Sequence, residues 1–115
     1  MPFDYSMCTR DTEYLAKIEA EKGGAPRAAA KLLFDILLGQ IKVKLFKNSI
    51  KLPSLFLLGL NDTITSAASS RNYFNSLTTK DKKLLEYAGM CHSISIDIGR
   101  DKVFNDMFEW LSERT

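Results

Sequence analysis

This chain of 115 residues has a single histidine, only two cysteines and a net charge of just +2 at pH 7. Each scarcity excludes something. A near-neutral balance, with lysines and arginines interleaved among acids along most of the chain, argues against a nucleic-acid partner. The main basic cluster, IKVKLFK at 41–47, reads as a solvated helix end whose lysines sit near the negative end of the helix dipole. Cys8 and Cys91 have no metal or redox spacing, so no metal and no cofactor is expected, and reduced thiols in an intracellular protein are the plain reading. No run approaches the ~20 apolar residues of a membrane span, which argues against stable membrane insertion. The opening MPFDYSMCTRD lacks the apolar middle of a secretory signal, so the expectation is a soluble, cytoplasmic chain. There is no internal repeat and no low-complexity tract. What is present is 45% hydrophobic residues, enough for one small domain with a modest core.

Along the chain, TEYLAKIEAE at 12–21 has apolar residues at helical spacing, with Asp11 or Thr12 able to cap its start. KGGAP at 22–26 stops that helix. The following Ala- and Leu-rich segment predicts a second helix with a broad apolar face, kinked or broken at Gly39 and ending near Asn48. At Lys51 the character changes. Residues 55–58 form an unbroken apolar run, the pattern of a strand covered on both faces in a parallel sheet, and Pro53 limits pairing only at its start. A helix capped by Thr65 or Ser66 follows, with Tyr73, Phe74 and Leu77 facing inward; a second strand covers about 83–87. The last helix covers about 101–114, with apolar positions Val103, Phe104, Met107, Phe108, Trp110 and Leu111. The expectation is a helical segment over 1–49, then strand, helix, strand, helix over 50–115, an α/β pattern.

Two loops each follow directly on a predicted strand. GLNDT carries Asp62, and AGMCHS carries His92. Parallel strands joined by a helix lie side by side and end on the same sheet edge, where sites of open α/β folds form. An aspartate that accepts a hydrogen bond from one imidazole nitrogen fixes the tautomer and frees the other nitrogen to act as a base. Taken singly, each residue has a plainer role: Asp62 as a turn former or helix cap, His92 as a loop residue. Cys91, beside His92, invites a cysteine-nucleophile reading, but neighbouring residues in a loop tend to point apart.

LPSLFLLGLNDTITSAASSRNYFNSL, KDKKLLEYAGMCHSISID and VFNDMFEWLSER together resemble the C-terminal part of an α/β-hydrolase of the monoacylglycerol lipase and lysophospholipase group. The hallmarks are an apolar strand into Gly-x-x-Asp, a helix, a lysine-containing strand into Gly-x-x-His, and a closing helix with Trp-Leu. The likeness covers about 50–114. CTRDTEYLAKIEAE and the helix after it look like the end of that group's lid, the helical insertion over the site, although KGG departs from the short Asp-Pro pattern of the group.

This resemblance implies a Ser-Asp-His triad in chain order, with Asp62 as the acid and His92 as the base. The nucleophile would precede them on a Gly-x-Ser-x-Gly elbow, and the sequence contains none. Ser6, Ser49 and Ser54, the serines before Asp62, have no glycine two residues to either side. The resemblance therefore implies the acid and histidine of a serine hydrolase of carboxylic esters, with monoacylglycerol or lysophospholipid as the expected type, without its reacting atom. The chain by itself is expected to be inactive. An ester or lipid substrate is expected if an upstream half joins it, and a second polypeptide or a further copy of the chain could complete the sheet. Leu32, Leu33, Ile36 and Leu37 are expected to pack onto a core, with an acyl pocket in the lid as the alternative. The competing reading is a non-catalytic interaction module that keeps the scaffold.

Overall fold

The computed structural model describes residues 4–21 and 30–114, and the side chain of Ala30 lies outside the description. The glycine-proline break expected at 22–26 therefore falls outside the described residues. A short 3-10 turn, Tyr5–Met7, leads into α1, Thr12–Ala20, and then α2, Ala30–Phe46, which ends in a second 3-10 turn, Lys47–Ser49. Strand β1, Ser54–Gly59, helix α3, Ala67–Ser76, strand β2, Lys82–Tyr87, and helix α4, Arg100–Ser112, complete the order.

The two strands pair in parallel, from Ser54 opposite Lys82 to Gly59 opposite Tyr87, as the strand-helix-strand pattern predicts. Alternation along β1 sends its side chains to two helices. Phe56 meets the rings of Tyr73 and Phe74 on α3, with centroids 6.1 and 5.4 Å away. Leu57 turns the other way, into a core of Tyr87, Met90 and Val103 that also takes Leu85, Ile94 and Met107. The sheet thus has α3 on one face and α4 on the other.

Local chemistry fixes the helix ends. Asp11 caps α1 by accepting from the N–H groups of Glu13 and Tyr14, and Ser66 caps α3 by accepting from Ser69 N–H at 3.2 Å; both are among the caps expected from sequence. At the other end of α3, the ammonium of Lys82 donates to the carbonyls of Phe74 and Leu77, each at 2.8 Å, where a cation suits the helix dipole.

Three expectations need correction. Gly39 does not break α2, which runs unbroken through it. One glycine costs a helix ~1 kcal/mol, and the flanking Ala, Leu and Lys residues carry the segment across. On α4, only Val103, Met107 and Trp110 turn inward, while Phe104, Phe108 and Leu111 are exposed. A single sheet face takes one narrow stripe at three- and four-residue spacing and leaves the rest uncovered. Leu32, Leu33, Ile36 and Leu37 do not pack onto a core among the described residues, each being about half exposed (51, 57, 49 and 52%). The apolar residues of α2 encircle the helix, and among the described residues the two strands with α3 and α4 leave them uncovered.

Candidate functional site

The two loops after β1 and β2 are joined before any functional side chain is considered. Leu60 N–H donates to Tyr87 C=O at 3.0 Å and Asn61 N–H to Met90 C=O at 2.9 Å, extending the parallel pairing past the strand ends. Gly59 permits this closeness. A Cβ at that position would lie 2.4 Å from the Cys91 carbonyl oxygen and 2.6 Å from that of Met90, distances no side chain tolerates. Gly89 then turns the chain after β2 with φ of +74°, in the left-handed region that favours glycine.

From these tips Asp62 and His92 face each other. His92 Nδ1 lies 2.9 Å from Asp62 Oδ2. Asp62 is both the turn former and the acid partner that the residue type allows, with one oxygen given largely to each task. Its Oδ1 accepts from Ile64 N–H at 2.8 Å and Thr65 N–H at 2.9 Å, building the turn into α3. Its Oδ2 accepts from the Thr65 hydroxyl and from the imidazole. Burial alone would push this carboxyl up. The Thr65 hydroxyl and N–H, the His92 ring and the Ile64 N–H outweigh it and hold the group down at about 2. At neutral pH the carboxylate is ionised and can only accept, so the proton of the shared bond sits on Nδ1, and in the neutral form of the ring Nε2 is the nitrogen left to act as a base. The His92 side chain is 38% exposed against 11% for Asp62, so the acid is sheltered and the imidazole opens toward solvent.

Cys91 is buried, and burial first, then the Asp97 charge, raises its thiol above the ordinary value. A sheltered, protonated thiol is a poor nucleophile. Both cysteines are free. Among the described residues no group of three His, Cys, Asp or Glu side chains could hold a metal ion, and no helix is long and apolar enough to cross a membrane. An open groove of about 400 Å3 lies elsewhere, between α2, β1 and α3, lined by Gln40, Val43, Phe56 and Tyr73.

Sequence reading gave no role to Asp97, and it placed residues 8–10 only at the start of the lid-like segment. In the structure these hold the histidine loop: His92 N–H donates to Met7 C=O at 3.5 Å and Ser93 N–H to Cys8 C=O at 2.8 Å. Cys91 N–H donates to Asp97 Oδ2 at 2.7 Å. The only available signal was an acid set between isoleucines in SIDIG, an awkward place for a charge unless it is paired.

Comparison with known proteins gives this geometry a context. Residues 1–99 match the family Hydrolase_4, described as serine aminopeptidase, S33. A monoglyceride lipase of Saccharomyces cerevisiae is 36% identical over 67 residues, which is 55% of this chain and 21% of the yeast protein. The crystal structure of Paleococcus ferrophilus monoacylglycerol lipase superposes with a TM-score of 0.90 at 25% identity, covering 98% of this chain and 44% of that one. A soluble variant of the S. cerevisiae monoglyceride lipase, in complex with a substrate analogue, gives a TM-score of 0.85 at 26% identity over 98% of this chain and 42% of that one. The chain therefore spans less than half the length of these relatives. With parallel strands, helices on both faces and these likenesses, the chain belongs to the Hydrolase_4 family of α/β-hydrolases and is monoglyceride-lipase-like.

Proposed function

We propose that this chain supplies the acid and the histidine of a serine hydrolase acting on carboxylic esters, with monoacylglycerol or lysophospholipid as the substrate class. The nucleophile would come from a further segment or polypeptide. The observation that carries this reading is the 2.9 Å contact between Asp62 Oδ2 and His92 Nδ1. The absence of a Gly-x-Ser-x-Gly elbow from the sequence, together with coverage of only 44 and 42% of the two solved lipases, supports a missing nucleophile-bearing part. Physical incompleteness supports it too. A two-stranded sheet leaves both outer edges unpaired among the described residues, and Leu33, Phe34, Leu37, Leu45 and Phe46 lie exposed on α2.

In the completed enzyme His92 Nε2 takes the proton of the serine hydroxyl as the oxygen attacks the ester carbonyl. It then returns a proton to the departing alcohol. The second half-reaction repeats the cycle with water, which hydrolyses the acyl-enzyme. Asp62 holds the ring in orientation and stabilises the imidazolium formed in each step. The oxyanion donors belong with the nucleophile.

The missing elbow also favours a second reading, an interaction module that keeps the scaffold without catalysis. Hydrolysis of a short-chain nitrophenyl ester separates the two. The assay compares this chain alone with a polypeptide in which it is joined to a nucleophile-bearing half. Turnover in the joined protein alone, falling by ~10^4-fold in Asp62→Asn, supports the hydrolase. No turnover in either supports the module.

A further inference from the structure

Asp97 is fully buried, at 0% exposure, yet it carries a charge. Its Oδ1 accepts from Arg10 N–H and Ile98 N–H, each at 2.8 Å, and from the Thr9 hydroxyl at 3.3 Å. The Arg10 guanidinium Nε lies 3.2 Å from both carboxylate oxygens. Burial alone would raise this carboxyl, but the N–H groups of Cys91, Arg10 and Ile98 and the Arg10 charge hold it below the usual range, so it stays ionised. A buried carboxylate is costly unless saturated in this way. Its one bond to the histidine loop is the 2.7 Å contact from Cys91 N–H to Oδ2. Beside it, the N–H groups of His92 and Ser93 go to the carbonyls of Met7 and Cys8. Three successive amides are thus held by one side chain and by the segment that neutralises that side chain. A second ion pair, Arg100 to Asp11 at 2.8 Å, crosses between the same two regions.

We propose that Asp97, braced by Arg10, is a positioning residue for His92: it grips the amide just before the histidine and so sets the ring where Nδ1 meets Asp62. The proposal rests on the reading of Asp62 and His92 as a working pair. Gly59 bounds the loop from the other side, where the Met90 and Cys91 carbonyls press on it. The clamp therefore leaves the loop little room, and loss of either side frees it.

His92 is the sole histidine, so its ring resonances in a 15N-labelled sample of the full 115-residue chain need no assignment. Long-range 1H–15N spectra are expected to show one tautomer with a slowly exchanging Nδ1 proton, and Asp62→Ala, which leaves no acceptor, should abolish that slow exchange. Asp97→Ala should average the two tautomers and speed Nδ1–H exchange at least tenfold, while the Val103 methyl signals persist. Asp97→Asn, near-isosteric and safer for folding, should speed exchange severalfold, because the amide can still accept from Cys91 but no longer pairs with Arg10. Thr9→Val, which removes the hydroxyl's contacts with Asp97 Oδ1, the Ile96 carbonyl and Asp11 N–H but none with residues 91–93, should leave the ring signals unchanged. Unaltered Nδ1 exchange in folded Asp97→Ala, or in Asp97→Asn if the alanine variant does not fold, overturns the positioning role and leaves the functional reading standing. Slow exchange that survives Asp62→Ala, or is absent from the unmodified chain, overturns both.

Discussion

Helix α2 and the pair of loops at the strand tips are built on opposite terms. α2 is rich in apolar side chains, and nearly all its described residues are exposed. The loops at 60–65 and 88–99 give Met90 and Ile94 to the core but are held chiefly by polar contacts: Asp62 and Asp97 between them collect donors from Thr9, Arg10, Ile64, Thr65, Cys91, His92 and Ile98. A few directional bonds, some between residues far apart in sequence, can assemble an acid–imidazole pair within this chain. Hydrophobic burial is non-directional and needs surface area that these elements do not supply. The site's geometry is therefore local, whereas its thermodynamic support is spread over surfaces awaiting a cover.

Substitutions should separate these regions. The largest effect is expected from Gly59→Val. Its side chain would collide with two backbone carbonyls that cannot swing aside, so ~3 kcal/mol or more of stability should go, along with the slow Nδ1–H signal of His92. Urea unfolding and the ring spectra read both. Val103→Ala, in the core at 1% exposure, should cost ~2 kcal/mol by denaturant midpoint while leaving the ring spectrum intact, because it removes packing and no bond to the loop.

Acid should come next. The Asp62 carboxyl titrates near 2 when folded, against 3.8 for the unperturbed group. Its contribution is complete above pH ~4 and drains away as pH falls toward 2, amounting to ~2 kcal/mol. Thermal melts between pH 5 and 2 should show this loss, and Asp62→Asn should lack it. The smallest effect belongs to α2. Leu33→Ser or Leu37→Ser should shift stability by less than ~0.5 kcal/mol and raise the soluble yield, because the side chains are already half in water. A large destabilisation would mean that α2 is covered in solution.

How much could be read in advance follows the same division. The Leu55–Leu58 run, the Ser66 and Asp11 caps and the parallel pairing are short-range or pattern-borne, so the sequence displays them. The two tips followed from topology alone, because a helix between two strands forces both ends to one edge. Asp97 stayed hidden because its role depends on Thr9 and Arg10, 88 and 87 residues away, and no spacing rule spans that distance. The exposed faces of α2 and α4 were misjudged because an apolar pattern reports what a residue prefers, not whether a partner surface exists within the chain. Trp110 and Phe108 are both apolar on one helix, and only the first finds a neighbour.

Labelling with a fluorophosphonate ester analogue, which reacts only with an activated serine, tests the central claim most directly. The prediction is no labelling of this chain alone, labelling of one serine when it is joined to a nucleophile-bearing half, and a rate ~10^3-fold or more lower in the joined His92→Ala protein. Labelling of a serine in this chain by itself, or a joined protein labelled equally fast with and without His92, would contradict it.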